Sequence, residues 1–182
     1  MTNCFERDIE NAHRFHGHIC HGIVFGVRMA RAGLNYLGID DPLRNRDFLV
    51  YVEADRCVAD AVSSVTGCSL GKRRLKWMDY GKMAATFIDM NSHEGIRIAV
   101  AAKQNAPENG DIVAFWNAIP DEELFKVEAV RVNLKPEDLP GKPLSRVKCE
   151  RCGESVMDSR EILLGGRILC RACANGAYYE KL

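Results

Sequence analysis

The sequence carries no surplus of either charge: 25 lysines and arginines stand against 25 aspartates and glutamates. A chain without net charge gives no electrostatic basis for holding DNA, RNA or an anionic membrane surface. It also lacks any apolar run approaching the ~20 residues of a membrane span. Its first residues, MTNCFERDIENAHRF, place charges where a secretion signal needs an apolar core. These absences point to a cytoplasmic protein that binds neither nucleic acid nor membrane. What is present is apolar substance, 47% of residues, which suits a packed core and not a disordered chain. In a reducing compartment eight cysteines point to metal ligation or thiol chemistry before disulfides.

The texture changes near residue 133. NLKPEDLPGKPLSRVK holds three prolines and no apolar periodicity, the composition of a linker. Residues 1–135 read as a core domain, 136–147 as the linker, and 148–182 as a minidomain too short to bury a stable core unaided. CERCG and CRACA supply the staple. Cys149 and Cys152 form one C-x-x-C pair, Cys170 and Cys173 the other, and residues 153–169 between them fit the spacing of a zinc site. The alternative is two disulfides, which the compartment disfavours. Four thiolates close the shell of a zinc ion, so this metal holds the fold and does no chemistry. The intervening ESVMDSREILLGGRILC reads as strand, loop and hairpin turning at Gly165-Gly166, and the whole as a zinc ribbon.

In the core domain, residues 2–14 suit a helix with Phe5, Ile9 and Ala12 on one side. A second helix follows the stretch FHGHICHG. Ile19, Ile23, Val27, Ala30, Leu34 and Leu37 recur at helical steps, and Gly22, Gly26 and Ala30 make a small-residue stripe that lets another backbone approach closely. Residues 48–55, FLVYVEAD, suit a strand. It leads into a short helix with Asp55 as N-cap, Cys57 in the first turn and Gly67 as the stop. A thiol in that place is expected to be more acidic than a free one. TGCSLGKRR fails as a nucleotide P-loop, because its glycine spacing is short and arginine follows Lys72. Lys72 and Arg73 remain candidates for holding a small anion, the plain alternative being a solvated basic loop. Later segments, such as GIRIAVAAK with its period of two, read as strands joined by short turns. The expectation is an α+β fold: a mainly antiparallel sheet packed by helices, with the ribbon appended.

The reactive residues of this domain fall in two groups, His16, His18, Cys20 and His21, and Cys57 with Cys68. Imidazole with thiolate suits zinc, nickel or iron. His16 and His18, alternating in an extended segment, could face one point, and Cys57 would complete a three-ligand site open to water or substrate. Cys57 and His18 are then the catalytic candidates. Taken singly, each histidine reads as a satisfied polar residue and each cysteine as a small buried hydrophobe.

FHGHICHG, EADRCVADAV, VTGCSLGK and DYGKMA, in this order, resemble the E-type family of molybdenum formylmethanofuran dehydrogenase, over residues 10–130. The family's first motif usually reads His-Gly-His-x-Cys-Pro-Gly, and His21 stands here at the proline. The resemblance implies an α+β core holding a metal at His16, His18 and Cys57, with Cys20 beside them, an appended ribbon, and association as a homodimer. It further implies an accessory or metal-handling role linked to molybdenum or tungsten oxidoreductase metabolism, within a larger oxidoreductase complex. The cysteines outside the ribbon are not spaced for an iron–sulfur cluster, so electron-relay chemistry would lie elsewhere. The competing reading is a free-standing metalloenzyme that activates water or a small anionic substrate at an open His/His/Cys site.

Overall fold

α1 (Cys4–His16) buries Phe5, Ile9 and Ala12, the side expected from their spacing, and runs two residues further toward the histidine-rich stretch than the sequence suggested. Gly17, at φ +96°, ends it by donating its N–H to the His13 carbonyl at 2.7 Å. α2 (His21–Tyr36) follows, with Ile23, Val24, Val27, Met29 and Ala30 fully buried. The structure, a computed structural model, describes residues 4–106 and 110–182, so residues 2 and 3 of the expected first helix lie outside it. The chain divides into two units, Met1–Leu134 and Lys135–Leu182.

The first unit carries a five-stranded sheet. β1 (Phe48–Val52), α3 (Cys57–Thr66) and β2 (Leu75–Trp77) come first, then β3 (Ala84–Asp89) and β4 (Glu94–Val100). Two short helices, α4 (Ile112–Asn117) and α5 (Asp121–Leu124), precede β5 (Phe125–Arg131). The strand order is β2-β1-β3-β4-β5. Pairing is antiparallel from β1 through β5, but β1 and β2 run parallel, Val50 opposite Leu75. The sheet is therefore mixed at one edge. The cause is α3: a helix between two strands returns the chain to its starting end, which makes the second strand parallel to the first.

α1, α2 and α3 pack on one another, and α2 lies against β3 and β4. Between them sits a core that includes Phe48, Val50, Phe87 and Ile98, each contributing ~1.5–3 kcal/mol over exposure. Close approach depends on the glycines of α2. A Cβ on Gly26 would stand 2.8 Å from the Val58 carbonyl oxygen, and one on Gly33 would stand 2.3 Å from the Phe87 ring. Gly67, at φ +66°, ends α3 with its N–H on the Ser63 carbonyl.

The second unit begins with residues whose contacts are its own. Asp138 pairs with Arg160, and the Leu144 N–H donates to Asp158 Oδ1 at 2.9 Å. β6 (Arg146–Lys148) pairs with β7 (Ser155–Met157), and β8 (Ile162–Leu164) with β9 (Arg167–Leu169), before α6 (Arg171–Asn175). Gly165 and Gly166, both at positive φ, turn the β8–β9 hairpin.

Candidate metal centre

The core cluster forms where α1 ends and α2 and α3 begin. His16 closes the last turn of α1, Cys20 is the N-cap residue of α2, and Cys57 opens α3 just past the carboxyl end of β1. His16 and His18 do not alternate in an extended segment as expected. His16 is helical, and Gly17 reverses the chain so that the two rings lie with centroids 4.5 Å apart. His16, His18, Cys20 and Cys57 each offer one donor atom, and these atoms all lie within 4.8 Å of one another. The small stripe of α2 is what admits Cys57, since a Cβ on Gly22 would lie 3.0 Å from the Cys57 Cβ.

The donor chemistry suits a transition metal. Asp60 Oδ2 lies 2.8 Å from His16 Nδ1. The other ring nitrogen, Nε2, is buried and has no hydrogen-bond partner. An orphaned buried acceptor beside two thiols and a second imidazole is what a metal ligand looks like without its metal. Burial, followed by the adjoining Cys20 thiol, pushes the Cys57 thiol up from its ordinary value. The helix start therefore does not win the acidity expected from it, and Arg56 rather than Asp55 is the N-cap residue, with no side-chain cap bond. Deprotonating Cys57 needs a cation close by.

His21 points elsewhere. Its Nδ1 accepts the indole N–H of the buried Trp116 at 2.9 Å, which ties α2 to α4. Cys68 is buried, its own N–H bonded to Thr66 Oγ1, and stands outside the cluster. Lys72 donates to the Gly67 carbonyl at 3.1 Å and so serves the end of α3, while Arg73 occupies a positive-φ turn. Neither belongs to the core cluster. Arg74, next in the loop, is 3% exposed, donates to the Asn45 and Phe48 carbonyls, and stacks on the Phe48 ring at 4.4 Å. Asp60 is the site residue that the motifs alone do not single out. The Cys-x-x-Asp spacing is its signal, because residues three apart share a helix face.

In the second unit, Cys149, Cys152, Cys170 and Cys173 also bring their sulfurs within 4.8 Å of one another. Cys152 and Cys170 Sγ are 3.9 Å apart. A tetrahedron of sulfurs ~2.3 Å from zinc has edges of about 3.8 Å, so the set fits that ion. Backbone N–H groups of Cys152 and Cys170 aimed at Cys149 bring its thiol down to about 6. Hydrogen bonding to Cys170 pushes Cys173 up to about 12.

Among the described residues no helix is long and apolar enough to cross a membrane. A curated protein of Archaeoglobus fulgidus, described as a probable S-adenosyl-L-methionine-binding protein, is 32% identical over 92% of this chain. The chain spans about half the length of that relative, 52% of it. A solved structure, a tungsten formylmethanofuran dehydrogenase FmdE-like protein from Syntrophus aciditrophicus, superposes with a TM-score of 0.62. That match covers 98% of this chain and 96% of the other at 22% identity, and so speaks for the fold. Residues 142–179 match the prokaryotic dksA/traR C4-type zinc finger, which agrees with the four-thiolate cluster. Residues 15–140 match the FmdE family, described by the molybdenum formylmethanofuran dehydrogenase operon, and the chain belongs to that family.

Proposed function

We propose that this FmdE-family chain is a metal-handling protein, acting as an accessory to molybdenum or tungsten oxidoreductase metabolism. It would hold one transition metal at His16, His18, Cys20 and Cys57 and a structural zinc at Cys149, Cys152, Cys170 and Cys173. The observation that carries this reading is the convergence of four core donors within 4.8 Å. Two imidazoles and two thiolates suit zinc, nickel or iron. They also fill a tetrahedral shell, whereas metal-activated water needs an open position. Cys57 and His18 are on this view ligands and not catalytic groups, and the free-standing metalloenzyme becomes the weaker reading. His18 is exposed, so the core metal stands within reach of a receiving partner. A bound metal would supply charge that keeps both core thiols deprotonated. Association as a homodimer and within a larger oxidoreductase complex belongs to the same proposal, as does a cytoplasmic setting.

The test is metal content with exchange kinetics. Protein purified without added metal should carry two metals per chain, one surrendered quickly to a chromophoric chelator and the other slowly. Cys57→Ser should lose the fast metal alone and keep its fold. A content of one metal per chain, unaffected by Cys57→Ser, refutes the core site.

A further inference from the structure

The carboxylate of Asp60 has no place in a ligand set of imidazoles and thiols, yet it is aimed at the His16 ring. Its Oδ2 lies 2.8 Å from Nδ1. An ionised carboxylate only accepts, so Nδ1 must carry the ring proton, and the lone pair falls on Nε2. That nitrogen is buried and has no hydrogen-bond partner. Asp60 thus fixes both the tautomer of His16 and the direction of its free donor.

We propose that Asp60 is a positioning residue of the core metal site, holding His16 with Nε2 turned toward His18, Cys20 and Cys57. The proposal rests on the reading of that cluster as a metal site. Asp60 and Cys57 are three residues apart on α3, so one helical turn presents a ligand and the group that orients another ligand. His16 comes from α1, so the bond also sets the angle at which the end of α1 meets α3. A structural ion pair is the rival explanation. The Asp60 side chain is 46% exposed, and pairs so open to water add little to stability. Its directional effect on the ring is the larger consequence. Carboxylates that accept the far N–H of a metal-bound histidine raise its basicity and orient it, and losing one typically lowers metal affinity about 10- to 100-fold.

Cobalt(II) titration of the full-length, metal-stripped protein tests this, with the four-thiolate ribbon as an internal reference. The wild type should fill both sites, with distinguishable absorption bands. Asp60→Ala should lose core affinity by about 100-fold and leave the ribbon unchanged. Asp60→Asn, whose amide oxygen still accepts from Nδ1–H, should lose about tenfold. A readout that a mere helix-to-helix contact would not move is the paramagnetically shifted Nδ1 proton of His16. It should be protected from solvent exchange in the wild type and the Asn variant, and exchange rapidly or vanish in the Ala variant. Should the alanine variant fail to fold, the asparagine variant decides alone. Core affinity equal to wild type in Asp60→Asn overturns the positioning role while leaving the metal site intact. Failure of the wild type to take cobalt at the core overturns both.

Discussion

Gly26 of α2 sits so close to Ala61 of α3 that a Cβ placed on it would stand 2.6 Å from the Ala61 Cβ. The same atom would be 2.8 Å from the Val58 carbonyl oxygen, and neither neighbour is a flexible side-chain end. The contact therefore fixes the distance between two helices whose starts carry Cys20 and Cys57. Gly26→Ala is expected to destabilise the first unit by ~1–3 kcal/mol, as overpacking does. It should also weaken core metal binding by prying Cys57 away from Cys20. Urea denaturation with a metal titration checks both, and a variant as stable as wild type with the same affinity counts against a packing-determined site.

His21 offers a second test, because its position in the family motif invites assignment as a ligand. Its Nδ1 accepts from Trp116, whose residue is only 3% exposed. His21→Ala would leave the indole N–H buried without a partner, at a cost of ~1–3 kcal/mol. The expected result is a less stable protein with altered tryptophan fluorescence and unchanged metal content. Loss of the core metal would place His21 among the ligands.

Much of the molecule is legible in residue spacing. The C-x-x-C pairs require no structure, because a short segment needs a staple and thiolate geometry tolerates little variation. The buried side of α1 and the small stripe of α2 are likewise legible, since helical period alone places Phe5, Ile9, Ala12, Gly22 and Gly26. The parallel pairing of β1 with β2 is not, because local alternation looks alike in either direction and the crossover decides. Nor is the way His16 and His18 meet. That depends on Gly17 taking a positive φ, a backbone choice that the apolar pattern does not encode. Asp60 is hidden for a related reason: its partner lies 44 residues away on another helix, and only tertiary packing brings them together.

The basic loop after α3 gives a third prediction. Arg74 looks in sequence like a surface cation, but it is buried against Phe48 and donates to two backbone carbonyls. Arg74→Met keeps apolar bulk yet removes donors from the Asn45 and Phe48 carbonyls. Charged hydrogen bonds of this kind are each worth ~1.5–3 kcal/mol, so the variant should be destabilised by at least ~2 kcal/mol. Lys72→Ala, whose ammonium meets only the exposed end of α3 at the Gly67 carbonyl, should change stability by less than ~1 kcal/mol. Equal melting temperatures for Arg74→Met and Lys72→Ala would show that the loop's charges all serve solvent or an anion.

Acidity within the ribbon yields the last prediction. In the metal-free folded ribbon the Cys149 thiol lies at about 6, below its ordinary 9.0, because backbone N–H groups of Cys152 and Cys170 point at its sulfur. Cys173 lies at about 12, because it shares a hydrogen bond with Cys170. The unfolded chain keeps both at their ordinary value. A group depressed on folding contributes stability that is complete above its unfolded value and is lost as pH falls through its folded value. Stability from Cys149 should therefore rise from about pH 6 to about pH 9. Cys173 has the opposite sign: its contribution is complete below about pH 9 and is lost as pH climbs toward about 12. Zinc needs thiolates, so binding at neutral pH must expel the Cys173 proton but finds Cys149 already bare. Calorimetry of zinc binding in buffers of different ionisation heat should count fewer than four protons released per ribbon. Cys149→Ser should remove the one thiolate absorbance that survives to about pH 6 in stripped protein. Release of a full four protons at neutral pH would mean that the backbone donors do not hold Cys149 ionised ahead of the metal.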